Sequence, residues 1–169
     1  LVATSNPLDV AIVGDGYFVV ETPDGMRYTR AGSFQLNGEG QIVTASGAAV
    51  MGEGNAPLFI APGEVSISIA RDGTISTENG AVGRLAVVAF ADPQTLRKVG
   101  DTQYESDETP TQIELPSVAQ GTIEGSNVRP VVELTRLIEV SRAYQQVQQM
   151  IDAEAEIAKR AMTALAGQV

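Results

Sequence analysis

The sequence contains no cysteine and no histidine among its 169 residues. Their absence excludes thiolate and imidazole metal sites, cysteine nucleophiles and the serine–histidine pair of many hydrolases. Carboxylate, lysine or tyrosine chemistry stays open, but the side chain best suited to proton transfer near neutral pH is lacking. The composition therefore favours a protein that is not an enzyme and that holds no metal and no cofactor.

Basic residues are also scarce, since 11 Lys and Arg stand against 21 Asp and Glu and the formal net charge is -10. Such a surface repels phosphate backbones, and no basic run with interleaved aromatic residues offsets the repulsion. No run of about 18 apolar residues is present, so we expect no membrane-spanning helix. Nucleic acid and anionic membranes are unfavourable partners, whereas the 43% of hydrophobic residues is sufficient for a buried core.

The chain begins with Leu1 rather than Met, and no basic segment with an apolar signal region follows. We therefore expect the sequence to be a fragment or a processed chain, with further residues upstream.

Short hydrophobic runs separated by turn residues fill the first two thirds of the chain, which is the pattern of an all-β domain. Pro23-Asp24-Gly25 predicts a hairpin, because Pro fixes φ and Gly accepts a positive φ. Asn37-Gly38 and Asp72-Gly73 predict two further chain reversals. The apolar run 84–90 predicts a strand buried on both faces, and the polar, acidic stretch 101–112 is expected to be an exposed loop.

A glycine motif, Gly14-Asp15-Gly16, follows a hydrophobic run near the start of the chain, as in a phosphate-binding loop. A dinucleotide fingerprint requires a third glycine where this chain has Val19, and a helix after the loop. The residues after Gly16 are aromatic and β-branched, so they predict a strand, which offers no helix N-terminus to a phosphate. We interpret the glycines as a turn between two strands.

Carboxylates close in sequence to this turn could form a general acid and base, as in glycosidases. The candidates are Asp9, Asp15, Glu21 and Asp24. Asp15 and Asp24 lie in apparent turns, where Asp is common because it hydrogen-bonds the local backbone, so solvated turn residues are the favoured interpretation. A carbohydrate-binding or carbohydrate-cleaving β domain stays open as the alternative function.

After Gly125 the sequence pattern changes. Ser126-Asn127 can cap a helix, Pro130 suits its first turn, and no Gly or Pro interrupts the sequence up to about Ala166. Apolar residues then recur in a heptad, which Glu154 interrupts at one position and which is typical of a coiled coil. This seam is the predicted assembly interface, and it consists of Leu137, Val140, Tyr144, Val147, Ile151, Ala158, Ala161 and Leu165.

These patterns predict a mainly β fold with two parts. Residues 1–120 form a compact all-β domain of short strands and hairpins, and residues 121–169 form a C-terminal helical, coiled-coil segment. The chain offers no second helix to cover the seam. The partner of the seam must therefore come from upstream residues or from another molecule.

Several motifs, taken in their order along the chain, resemble those of the bacterial flagellar rod and hook proteins. They are Asn6–Ile12, Gly14–Val20, Tyr28–Phe34, Gly40–Gly47, Gln120-Gly121, Glu124–Val128 and Glu139–Tyr144. Within that family, Val50–Gly54 and Asn127–Pro130 are most similar to the proximal rod proteins, with the distal rod proteins as runner-up. The hook proteins are less similar, because this chain lacks room for their additional outer domain.

The resemblance implies a structural subunit of the basal-body rod, the drive shaft for motility. Coaxial helices would form an inner tube and β domains an outer layer, through association with other copies and with sibling rod proteins. An N-terminal helix that is missing from this sequence would pair with the C-terminal helix. The resemblance also implies export through the flagellar type III apparatus without a cleaved signal, a location in the periplasm-spanning rod, and no small-molecule substrate.

Overall fold

The computed structural model describes all residues except 65, 101, 126–129 and 167–169. The chain divides into two compact units, Leu1–Gly125 and Ser126–Val169. The first unit consists of short β-strands, and the second contains a long α-helix. The predicted mainly β fold with a C-terminal helix is therefore confirmed.

The described part of the first unit contains 16 strands and a short 3-10 helix, Pro93–Thr95. The strands are β1 Val2–Ala3, β2 Val10–Ile12, β3 Tyr17–Thr22, β4 Gly25–Thr29, β5 Phe34–Leu36, β6 Ile42–Thr44, β7 Ala49–Val50, β8 Ser68–Ile69, β9 Thr74–Thr77, β10 Gly80–Arg84, β11 Val87–Ala89, β12 Arg97–Val99, β13 Gln103–Glu105, β14 Thr111–Gln112, β15 Val118–Gln120 and β16 Thr122–Ile123.

The largest sheet has the strand order β12-β13-β4-β3-β7-β6-β5, and β11 joins it by pairing with β3 and with β14. The pairs are antiparallel. Three smaller sheets accompany it, formed by β8 to β10, by β2 with β15, and by β1 with β16. The last of these pairs the two ends of the domain, because Val2 lies opposite Ile123.

The three predicted reversals are confirmed. Thr22 pairs with Gly25 across the β3–β4 hairpin, where Gly25 has a φ of 120°. Asn37-Gly38 joins the antiparallel strands β5 and β6, and Asp72-Gly73 joins β8 and β9. Gly25 and Gly73 supply the positive φ of their turns. In the β5–β6 reversal the positive φ belongs to Gly40, and the Asn37 side chain accepts hydrogen bonds from the backbone N–H groups of residues 39 and 41.

The expectation of an exposed loop at 101–112 is wrong for the five residues of β13 and β14. Strand β13 pairs with both β12 and β4, and β14 pairs with β11. The aromatic ring of Tyr104 packs edge-on against Tyr17, with 5.9 Å between ring centroids. Arg27 and Arg97 form ion pairs with Glu105. The acidic composition of the stretch predicted exposure to solvent. The charge of Glu105 is instead paired within the sheet, so the stretch can form a strand.

The core has two parts, on opposite faces of β3. Phe18 and Val20 belong to one buried cluster and Val19 to the other, because successive side chains of a strand point to opposite faces. The run 84–90 behaves in the same way, with Val87 in the first cluster and Val88 in the second. Its predicted burial on both faces is confirmed, although the structure divides the run between β10 and β11.

Two backbone segments lie close together at Gly32. The N–H of Val10 donates to the Gly32 carbonyl at 2.8 Å. A Cβ atom at Gly32 would lie 1.7 Å from the Val10 oxygen and 3.0 Å from the Phe18 ring. Position 32 therefore requires glycine for lack of space beside the backbone.

Replacing Gly32 by Ala is expected to destabilise the β domain by roughly 1–3 kcal/mol or more, because the methyl group must displace the backbone of Val10. The matched control is Gly38→Ala, since a Cβ at Gly38 meets no atom within 4 Å. Urea unfolding of the two variants measures the difference. Equal unfolding midpoints for both would contradict this role of Gly32.

The turn between β8 and β9 predicts a pH dependence. The Asp72 carboxylate accepts hydrogen bonds from the Thr74 N–H at 3.1 Å and the Thr74 hydroxyl at 3.0 Å. These bonds, with a smaller contribution from Arg84, lower the pKa of Asp72 below its usual value. A carboxyl whose pKa is lower in the folded state stabilises the fold above its unfolded pKa, and this stabilisation disappears as the pH falls through the folded pKa.

The variant Asp72→Ala should therefore unfold more easily than the parent at pH 7, and the difference should shrink as the pH drops below about 4. Urea unfolding between pH 3 and 7 measures it. A difference that does not change with pH would mean that the ionised carboxylate is not what stabilises the turn.

Candidate assembly interface

The second unit is dominated by helix α1, Pro130–Ala166, which has 37 residues. At a rise of 1.5 Å per residue it is about 55 Å long, so the predicted long helix is confirmed. Pro130 is its first residue, where the missing N–H costs no helical hydrogen bond. The predicted capping residues Ser126 and Asn127 lie outside the described residues. Among the described residues, no helix is both long and apolar enough to cross a bilayer.

The predicted seam residues lie along this helix, and those with described side chains are exposed. Their exposed fractions run from 55% to 71%. These residues are Leu137, Val140, Tyr144, Val147 and Ile151. The three remaining seam residues, Ala158, Ala161 and Leu165, are within α1, but their side chains lie outside the described set.

A third apolar row, which the prediction missed, runs beside the seam. Met150 and Ile157 are 70% and 67% exposed and seven residues apart. Ala143 and Ala164 extend the same spacing in the sequence. Each of these residues directly precedes a seam residue, so the seven-residue spacing could have revealed the row. The row was missed because two of its four residues are alanine, which is a weak indicator of a buried helix face.

The three rows together form a face about 100° wide at 3.6 residues per turn, as in helices that bury one side in a core. A two-stranded coiled coil needs only the narrower pair of rows. Further exposed apolar side chains lie on α1 at Leu134, Ile138 and Met162. The helix therefore has more apolar surface than one partner helix would cover.

The charges of the chain are unevenly divided between the two units. Residues 1–125 hold 16 of the 21 acidic and 6 of the 11 basic side chains, which accounts for the whole net charge of -10. Residues 126–169 hold five of each sign. Copies of the helical segment can therefore approach one another without net repulsion, whereas copies of the β domain repel.

The glycine motif of the first unit joins β2 to β3, which confirms its interpretation as a turn between strands. Gly14 and Gly16 have φ angles of 103° and 138°, values that other residues rarely adopt. A strand follows the motif, so the turn supplies no helix N-terminus for a phosphate group.

Three of the candidate carboxylates of the first unit are dispersed, and the fourth, Glu21, is exposed near the end of β3. Asp9 is buried and accepts hydrogen bonds from Asn6 at 2.9 Å and Ser33 at 3.2 Å. Asp15 and Asp24 are exposed at opposite ends of β3, roughly 20 Å apart along a strand of that length. The carboxyl pairs of glycosidases are about 5–9.5 Å apart. Within the described part of the chain, no group of three acidic side chains is placed to hold a metal ion.

Family models match both units. The model of the "Flagellar hook protein FlgE/F/G D1 domain" matches residues 11–77. The model of the "Flagellar basal body rod FlgEFG protein C-terminal" matches residues 119–164 and so includes most of α1.

Comparison with individual proteins agrees with the family models. The chain is 38% identical to the flagellar basal-body rod protein FlgF of Caulobacter vibrioides, over 96% of this chain and 67% of the relative. It is 35% identical to FlgF of Salmonella typhimurium, over 88% and 64% respectively. Identity to the rod protein FlgG of Bacillus subtilis is 33%, over 92% and 64%.

The chain spans about two thirds or less of the length of the relatives it matches. The matches extend over both the β domain and the helix, and the resemblance inferred from the motifs, most of all to FlgF, is confirmed. The chain belongs to the FlgE/F/G family of flagellar hook and basal-body rod proteins.

Proposed function

We propose that the chain is the core part of a FlgF-like structural subunit of the flagellar basal-body rod. In this role it is not an enzyme. Its function is to bind copies of itself and sibling rod proteins in a helical array that transmits rotation for motility. The observation that carries the proposal is the wide, exposed apolar face of α1, together with the rod-protein names of the relatives.

The width of the apolar face favours packing of α1 against more than one neighbour. Heterologous contacts that do not close into a ring build a helical filament, and a face of three rows suits a tube of helices better than a single pair. The neutral helical segments would form the inner tube. The acidic β domains would lie outside, where solvent and salt screen their repulsion.

One neighbour of α1 is proposed to be an N-terminal helix of the whole protein. Strand β1 pairs with β16, so Val2 lies opposite Ile123 at the end of the β domain. Residues that precede Leu1 in the longer protein would emerge beside the segment that leads to α1. The greater length of the relatives leaves room for such a helix.

The proposed location is the part of the basal body that spans the periplasm. The subunit would reach it unfolded, through the flagellar type III export apparatus and without a cleaved signal. A chain with no cysteine suits this route, because it can refold after export without forming disulfides.

The seam can be tested in the bacterium that makes the whole protein. Replacing Leu137, Tyr144 and Ile151 together by Gln should abolish rod assembly and swimming. Each replaced side chain loses about 1.5–3 kcal/mol of apolar burial in the assembled rod. Gln is a good helix former, so the isolated helix should be little affected. Electron microscopy of basal bodies and motility in soft agar measure the two outcomes.

The matched control is the double variant Glu139→Gln and Arg142→Gln. It introduces the same side chain on α1, leaves the net charge unchanged and lies outside the three apolar rows. It should assemble and swim like the parent. Normal rods and normal swimming in the triple seam variant would show that this face is not the assembly interface.

A further inference from the structure

One arginine side chain holds the glycine turn in place. Arg30 follows β4, and its two terminal nitrogens donate to the carbonyls of Gly14 and Gly16 at 3.0 Å each. Its guanidinium carbon also lies 5.9 Å from the centre of the Tyr17 ring. The guanidinium is therefore fixed on one side by the turn that leads into β3.

The remaining nitrogen of the same guanidinium reaches the end of the β domain. Nε of Arg30 donates to the Glu124 carboxylate at 2.8 Å, and the two side chains are 29% and 40% exposed. Glu124 directly follows β16 and lies two residues before Ser126, the first residue of the second unit. Arg30 thus links the start of β3 to the segment by which the chain leaves the domain.

The segment that leaves the domain has a short attachment of its own. Strand β16 has two residues and pairs with the two residues of β1, and an isolated two-stranded ladder is only marginally stable. Gly121, the residue before β16, makes two backbone hydrogen bonds. Its carbonyl accepts from the Thr4 N–H at 2.6 Å, and its N–H donates to the Asp9 carbonyl at 2.7 Å. The contact between Arg30 and Glu124 extends this attachment to the edge of the domain.

The chemistry of this contact requires both the arginine and the glycines. A planar guanidinium directs several N–H groups in fixed directions, whereas an ammonium group is a compact point charge. Gly16 must lack a side chain, because a Cβ there would lie 2.9 Å from Val87 and 3.2 Å from Ile113. Gly16, like Gly14, also has a positive φ, which other residues rarely adopt.

We propose that Arg30 is a clasp that holds the exit segment, residues 122–125, on the β domain. With the clasp closed, a pull on the chain beyond residue 125 is resisted by the contact between Arg30 and Glu124 as well as by the pairing of β16 with β1. The clasp itself is a property of the β domain. Its mechanical use rests on the proposed rod function.

Hydrogen–deuterium exchange of the 169-residue chain tests the clasp without any flagellum. In the variants Glu124→Gln and Arg30→Lys, the amides of residues 122–125 should exchange roughly two- to five-fold faster, as expected for loss of a partly exposed ion pair. In Glu124→Gln the amides of β3 should be unchanged, because the bonds from Arg30 to Gly14 and Gly16 stay in place. At residues 122–125 the double variant should exchange no faster than the faster single variant, because both changes break the same contact between residues 30 and 124.

The matched control is Glu53→Gln, which breaks the ion pair with Arg84. That pair has a similar length, 2.9 Å, and its side chains are 33% and 38% exposed. It should leave exchange at residues 122–125 unchanged. Unchanged exchange at residues 122–125 in both clasp variants would overturn the proposal. Equal acceleration of exchange throughout the β domain would also overturn it, because Arg30 would then stabilise the whole domain and not the exit segment.

The mechanical use is tested separately in cells that carry Glu124→Gln in the whole protein. We expect complete rods but slower swimming, with normal swimming in the Glu53→Gln control. Normal swimming in the clasp variant would overturn the mechanical role. If the proposed rod function is wrong, the triple seam variant will assemble normally. This outcome is distinguishable from normal swimming of the Glu124→Gln variant, which would contradict only the mechanical role of the clasp.

Discussion

The assembly of this protein depends above all on the apolar face of α1, a helix about 55 Å long. The exposed side chains of α1 include Leu137, Tyr144, Met150, Ile151 and Ile157, and each gains about 1.5–3 kcal/mol when it is removed from water. The β domain has a hydrophobic core of its own, because β3 has buried side chains on both of its faces. We propose that the helix, in contrast, gains most of its stability from neighbours.

The distribution of charge agrees with this division. All of the net charge belongs to residues 1–125, and the helical segment is neutral. In an assembly, attraction between copies would come from the apolar helix faces, and repulsion would come from the β domains and weaken with salt. This arrangement favours helices packed in the interior and β domains spaced around them.

Features set by neighbouring residues could be predicted from the sequence. The hairpin at Pro23–Gly25 and the helix of residues 130–166 depend on turn chemistry and periodicity. Contacts between distant segments could not be predicted. Strand β13 was missed because its burial depends on Tyr17, far away in the sequence. The bond between Arg30 and Glu124 joins residues 94 positions apart. The third apolar row was predictable in principle, but two alanines weakened its signal.

We propose that α1 is stabilised by other helices, whereas the β domain is stabilised by its own core. Hydrogen–deuterium exchange of the chain over a range of protein concentrations tests it most directly. We expect protection of the amides in residues 134–150 to rise with concentration and to disappear on dilution. Protection of β3 should be the same at every concentration. Protection of α1 that equals that of β3 and does not change on dilution would contradict the account.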